Sequence, residues 1–251
     1  MLEGRKLTVR YDGFTALDGV SVTLAQGMVT GLIGPNGAGK STLFSVLAGS
    51  VVPSAGTVVF GGEDITSRPP VQRARLGLGR SFQLSRDLVG LTVLENLLVA
   101  QPQRRLEGVG AALFRRQAVR EQEARMAELA RALLLRVDLW RLADQPSAAL
   151  SGGQKKLLDL CRVLMLEPRF ILLDEPSAGV NPTRVGEITE FIRSLAADGI
   201  SFGLVEHNLG MVAALSDRVY ALAEGRVVAE GSFADVTAND DVARAYLGVG
   251  A

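Results

Sequence analysis

The chain is poor in several residue types, and each shortage excludes something. It has one cysteine, Cys161, so it can form no internal disulfide, which fits a reducing compartment. It has one histidine, His207, and only four lysines against 23 arginines, so a lysine or histidine inside a motif stands out. Net charge is also missing: 27 basic residues balance 27 acidic ones, so no general electrostatic pull toward nucleic acid or anionic lipid is expected. No stretch approaches the roughly 18 uninterrupted apolar residues of a spanning helix, and Met1 to Arg10 carries no signal-like apolar run. If a membrane is involved, another chain is expected to supply the pore. Repeats and low-complexity linkers are absent as well.

What is present is a core. Of 251 residues, 47% are apolar, enough for one large α/β domain with an insertion. Short β-type runs at Leu7–Tyr11, Val20–Leu24 and Thr57–Phe60, punctuated by glycines, predict an antiparallel layer, and Met28–Ile33 is read as a strand within it. Apolar spacing predicts helices over Lys40–Ala48 and Glu121–Arg136. The runs Phe170–Leu173 and Ile200–Val205, separated by the helical pattern Val185–Leu195, suggest parallel strands with crossover helices. A hairpin at Glu224–Gly225 and a short helix around Val242–Leu247 close the chain. The expected division is a core with its β layer over about 1–86 and 161–251, and a helical subdomain over about 87–160.

Gly34–Ser41 reads GPNGAGKS, the pattern GxxxxGK[ST] placed after a strand and at the start of a helix. Gly34, Gly37 and Gly39 let the backbone wrap a polyphosphate, with Pro35, Asn36 and Ala38 completing the loop. The helix that begins with Lys40, Ser41 and Thr42 aims its first N–H groups at the charge. Lys40 supplies a compact cation for the β- and γ-phosphates, and the Ser41 hydroxyl is a hard donor for Mg²⁺. The plainer alternative is a glycine-rich connecting turn.

Leu150–Gln154 reads LSGGQ, with Ser151 as a candidate N-cap and Gly152, Gly153 and Gln154 opening a helix. It is a second anion receptor of the same physical kind, although taken alone it is also an ordinary helix cap. One nucleotide hardly needs two cradles in one chain. The economical reading is a head-to-tail pair in which the glycine loop of one chain and the Ser151 turn of the other share one ATP.

At the end of the strand Phe170–Leu173, Asp174 is the candidate ligand for Mg²⁺ and Glu175 the candidate base for an attacking water. His207 follows the strand Ile200–Val205 and can reach a γ-phosphate from the same sheet edge. Gln83, in GRSFQ, offers an amide oxygen to the metal or the water. Tyr11 either stacks on adenine or is a half-buried edge-strand tyrosine.

Taken together, Tyr11, Gly34–Ser41, Gln83, Leu150–Gln154, Asp174–Glu175 and His207 resemble, in order and spacing over essentially the whole chain, the ATP-binding cassette family. The resemblance implies an α/β P-loop fold with a mixed core sheet, an antiparallel β layer and an inserted helical subdomain. It implies ATP hydrolysis with Mg²⁺, a second cassette as partner, two transmembrane permease subunits, and a cytoplasmic place on the inner face of the cell membrane. GRSFQ, LTVLENLLVA at Leu91–Ala100, DEPSAGVNP at Asp174–Pro182 and RAYLG at Arg244–Gly248 further resemble the branched-chain amino acid importers. Within that group the resemblance implies the larger of two paralogous cassettes and, indirectly, a solute-binding protein. Asn181 stands where most cassettes have aspartate, and Gly152 where many branched-chain members have another residue. The alternatives are the ATPase of a lipid or lipopolysaccharide exporter, and a non-transport cassette ATPase.

Overall fold

The computed structural model describes residues 1–81, 88, 90–101 and 116–247. Two sheets organise it. Strands β1 (Leu2–Tyr11), β2 (Phe14–Leu24), β4 (Ala55–Phe60) and β5 (Glu63–Asp64) form an antiparallel sheet in the order β2-β1-β4-β5. The second sheet runs β10-β9-β3-β8-β7-β6, made of β3 (Val29–Ile33), β6 (Leu78–Arg80), β7 (Phe170–Asp174), β8 (Ser201–Val205), β9 (Arg218–Ala223) and β10 (Arg226–Gly231). Its pairings are parallel except the β9–β10 hairpin at the edge. Every residue of β3, β7 and β8 is buried, as expected for parallel strands covered on both faces.

Helix α1 (Lys40–Ala48) lies between the sheets. Its Leu43, Phe44, Val46 and Leu47 share one apolar cluster with Leu7, Val9 and Leu24 of the antiparallel sheet and with Phe170, Leu172 and Val205 of the parallel one. Gly49 stops it in a left-handed cap. The buried Arg73 then closes that end, donating to Val46 O at 2.7 Å and Leu47 O at 2.6 Å. Burial lowers this guanidinium to about 10, and the helix-end carbonyls compensate part of its desolvation.

Between β6 and β7 the described residues include three helices, α2 (Val93–Val99), α3 (Arg116–Arg136) and α4 (Gly152–Leu164). Met126, Ala130, Leu133 and Leu134 pack with Leu157, Leu158 and Cys161, and the cluster continues into Ile171 and Leu173 of β7. After β7 come α5 (Pro182–Ala197), α6 (Leu209–Leu215), α7 (Phe233–Thr237) and α8 (Asp240–Leu247). No described helix is long and apolar enough to cross a membrane.

Two sequence readings are corrected here. The run Met28–Ile33 does not belong to the antiparallel layer: Val29–Ile33 sits in the other sheet between β8 and β9. Its parallel pairing with both neighbours decides this, and burial on both faces is the consequence. Strand β1 starts at Leu2 rather than Leu7, because a register shift between Gly4 and Leu7, with Lys6 at φ 49°, hides the alternation.

Candidate nucleotide site

The glycine loop leaves β3 under tight steric limits. A Cβ at Gly34 (φ 149°) would meet Leu222 O at 2.2 Å, and one at Gly39 (φ 99°) would meet Ala16 O at 2.6 Å. Both positions therefore require glycine. The β9–β10 turn clamps the loop from outside, with Gly225 N donating to Ala38 O at 3.1 Å. Lys40 is buried, and its ammonium donates back to Gly34 O at 2.8 Å and Pro35 O at 2.9 Å. Burial lowers its pKa, while the Glu175 and Asp174 carboxylates favour the charged form. Ser41, exposed, and Thr42 follow in the first turn of α1, where backbone N–H groups have no acceptor within the helix. Pro35, Asn36 and Gly37 form the outer part of the loop, and Asn36 and Gly37 are exposed.

The carboxylates lie at the neighbouring strand ends. Asp174 is 2% exposed, and Arg80 of β6 donates to its Oδ2 at 3.1 Å. Its Oδ1 is buried with no hydrogen-bond partner among the described residues. Burial raises the carboxyl's pKa, with Arg80 opposing the shift. Glu175 turns out of the strand with φ 50°, a conformation that costs about 1–2 kcal/mol for a residue with a Cβ. The turn is held on several sides: Glu175 N donates to Val205 O at 2.8 Å, and Glu175 O accepts from Ala178 N at 3.1 Å and Lys156 Nζ at 3.4 Å. The result places Glu175 Oε1 3.1 Å from His207 Nε2.

Ser151 caps α4, accepting from Gln154 N at 3.4 Å, and Gln154 Oε1 accepts from Ser151 N at 2.9 Å. This reciprocal capping box leaves the exposed Ser151 hydroxyl proton free to donate to an anion. Gly152 lies beside Gly179 O, and Gly153 packs against Arg184 and Val180, where a Cβ would meet Arg184 Cβ at 2.9 Å. The Ser151 turn is thus seated on the loop leading into α5, whereas Lys40, Asp174, Glu175 and His207 gather at the sheet edge.

Comparison with known proteins gives the family. The family model for ABC transporters matches residues 17–178, and a model for branched-chain amino acid ATP-binding cassette transporters matches residues 226–251. The chain belongs to the ABC transporter family. It is similar to the "Probable branched-chain amino acid transport ATP-binding protein LivG" of Archaeoglobus fulgidus, 38% identical over 99% of this chain and 95% of that protein. The high-affinity branched-chain amino acid transport ATP-binding protein BraF of Pseudomonas aeruginosa is 36% identical over 99% of this chain and 98% of its own length. A crystal structure of a nucleotide-free ATP-binding cassette from an ABC transporter superposes with a TM-score of 0.86 at 36% identity, covering 100% of this chain and 99% of that one.

The chain is therefore the ATP-binding subunit of an ABC transporter and an ATP hydrolase. Two neighbours of the site, Glu206 and Arg80, and one of Tyr11, Phe14, carry little signal in the sequence. Glu206, 2% exposed, accepts from Ser177 N at 2.6 Å, His207 N at 2.9 Å and Asn208 N at 3.0 Å, tying the turn after Glu175 to the one carrying His207. Its only sequence signal is a carboxylate at the end of an apolar strand. Arg80 holds Asp174 from an adjacent strand. Phe14, 62% exposed, stands opposite Tyr11, 47% exposed, across the β1–β2 turn, so two rings rather than one are presented at that tip. Asn181 caps α5 by accepting from Thr183 N at 3.0 Å. Gln83 lies outside the described residues.

The donor set suits Mg²⁺. Asp174 Oδ1, which has no partner among the described residues, and the exposed Ser41 hydroxyl are hard oxygens. No group of three or more His, Cys, Asp or Glu that could hold a metal converges among the described residues. Phosphate and water oxygens would complete the shell, as this ion prefers.

Proposed function

We propose that this cassette powers import of branched-chain amino acids or a related solute, as one half of a two-cassette assembly that shares MgATP. The observation that carries the solute class is the match of residues 226–251, the C-terminal tail outside the general cassette model, to the branched-chain family model. The printed names of the similar proteins support it. The partners in this reading are a second cassette, a paralogue or another copy, two transmembrane permeases and, through them, a solute-binding protein. The chain then sits on the inner face of the cell membrane, with its helical subdomain, about 87–160, turned to the permeases.

In this reading the backbone of Gly34–Thr42 cradles the triphosphate, and Lys40 exchanges its two carbonyl partners for β- and γ-phosphate oxygens. Tyr11 stacks on adenine. Asp174, Ser41 and Gln83 would hold Mg²⁺, which would supply charge neutralisation on the phosphates. Glu175 accepts the proton of the attacking water, and His207, 3.1 Å away, orients that carboxylate and faces the γ-phosphate. The Ser151, Gly152, Gly153 and Gln154 turn of the partner chain closes on the γ-phosphate from the other side. Transfer to water is then mostly a matter of positioning and charge stabilisation.

The test is co-expression with candidate permeases. The expected result is copurification with two multi-span permeases and phosphate release stimulated by a branched-chain amino acid with its binding protein. Stimulation by lipid or lipopolysaccharide instead, or full turnover with no membrane partner, would overturn the solute assignment.

A further inference from the structure

One contact joins the two ends of the fold. Gly34, the first residue of the glycine loop, donates its N–H to the hydroxyl of Tyr246 at 2.8 Å, across 212 positions of sequence. The same residue's carbonyl accepts from Lys40 Nζ at 2.8 Å. Gly34 is therefore fixed from both sides, by the lysine within the loop and by a tyrosine from the last helix.

The helix is seated to make this contact. Val242 of α8 enters the apolar cluster of Ile33, Val219, Ala221 and Val236, so it packs against the residue that precedes Gly34 and against β9. Asn239 starts it, its side-chain oxygen accepting from Asp241 N at 2.8 Å. Tyr246 then lies one turn beyond Val242, and burial pushes its phenol up, keeping it neutral while it accepts from Gly34 N. The residue as a whole is 43% exposed, so its ring is partly buried while its hydroxyl makes the contact with the loop.

We propose that Tyr246 is a positioning residue for the phosphate loop: the C-terminal helix holds Gly34 in its ATP-binding conformation through the phenolic oxygen. A loop pre-set for its ligand binds more tightly, because less ordering is left to complete on binding. The proposal rests on the glycine loop being the ATP cradle.

The test uses the full chain and two variants, Tyr246→Phe and Tyr246→Ala. Phe keeps the ring and loses only the hydroxyl. Tyr246→Phe is expected to raise the Kd for MgATP and the KM by about 3- to 10-fold, the range of one lost hydrogen bond, with kcat within about twofold. Its nucleotide-free unfolding temperature should fall by no more than about 4 °C, the scale of one hydrogen bond, while hydrogen exchange speeds up in the peptide spanning 29–39. Tyr246→Ala should match Tyr246→Phe in Kd. Parent-like Kd, KM and exchange in Tyr246→Phe, with a defect in Tyr246→Ala alone, would make the residue a ring anchor and overturn the proposal. Failure of the parent chain itself to bind ATP through Lys40 would instead overturn the site assignment beneath it.

Discussion

Replacing Glu175 by Gln is expected to lower phosphate release by about 10²- to 10⁴-fold while MgATP binding stays within about twofold, and to accumulate the ATP-bound cassette pair. The change is nearly isosteric, so the turn that holds the residue at φ 50° keeps its hydrogen bonds to Val205 and Ala178, which are made by the backbone. What is lost is the proton acceptor. Binding survives because the substitution removes a negative charge near Lys40, which lessens repulsion of the incoming polyphosphate rather than increasing it. With hydrolysis blocked, the nucleotide that joins the cassettes is no longer consumed, so association outlasts the parent's. Phosphate release and gel filtration with and without ATP measure both effects. Parent-like turnover would remove Glu175 from the chemistry.

Lys40→Ala is expected to act on the opposite quantity. Its ammonium is the cation at the centre of the loop, buried and already aimed inward by Gly34 O and Pro35 O. Truncating one partner of a desolvated charge pair costs about 2–5 kcal/mol, so ATP affinity should fall by about 30- to 5,000-fold. Association of the cassettes should fail with it, since the shared ligand is the adhesive. Equilibrium titration with ATP reads the first effect and gel filtration the second. Undiminished ATP affinity would mean that the loop is not the cradle.

The difference between these two variants follows the way the site was legible in sequence. The glycine loop is a local object: its spacing, the strand before it and the helix after it all lie within Val29–Ala48, and the structure keeps that order. The Ser151 cap is local too, and its partner Gln154 is three residues on. Asp174 and Glu175 are legible as candidates because two acids directly after an apolar strand pattern are costly without a purpose, and the structure buries the first while the second turns out of the strand.

What escaped was whatever depends on distant pairing. An apolar run of five residues does not say which sheet it joins, so the local pattern alone puts β3 in the wrong layer. Strand β6 is three residues long with a glycine at its centre, too short for periodicity to register, yet it delivers Arg80 to Asp174 from 94 positions away. Glu206 looks like any charge after a strand until its three backbone donors are seen. Tyr246 sat in a recognised stretch, but nothing local to it points to Gly34.

The central claim is that two polypeptides grip one triphosphate. The most direct measurement is a structure of the Glu175→Gln chain with its cassette partner and MgATP. The expected structure has Lys40 of one chain on the β- and γ-phosphates and Ser151 of the other within hydrogen-bonding distance of the same γ-phosphate. A triphosphate touched by a single chain, with the Ser151 turns facing solvent or another ligand, would contradict it.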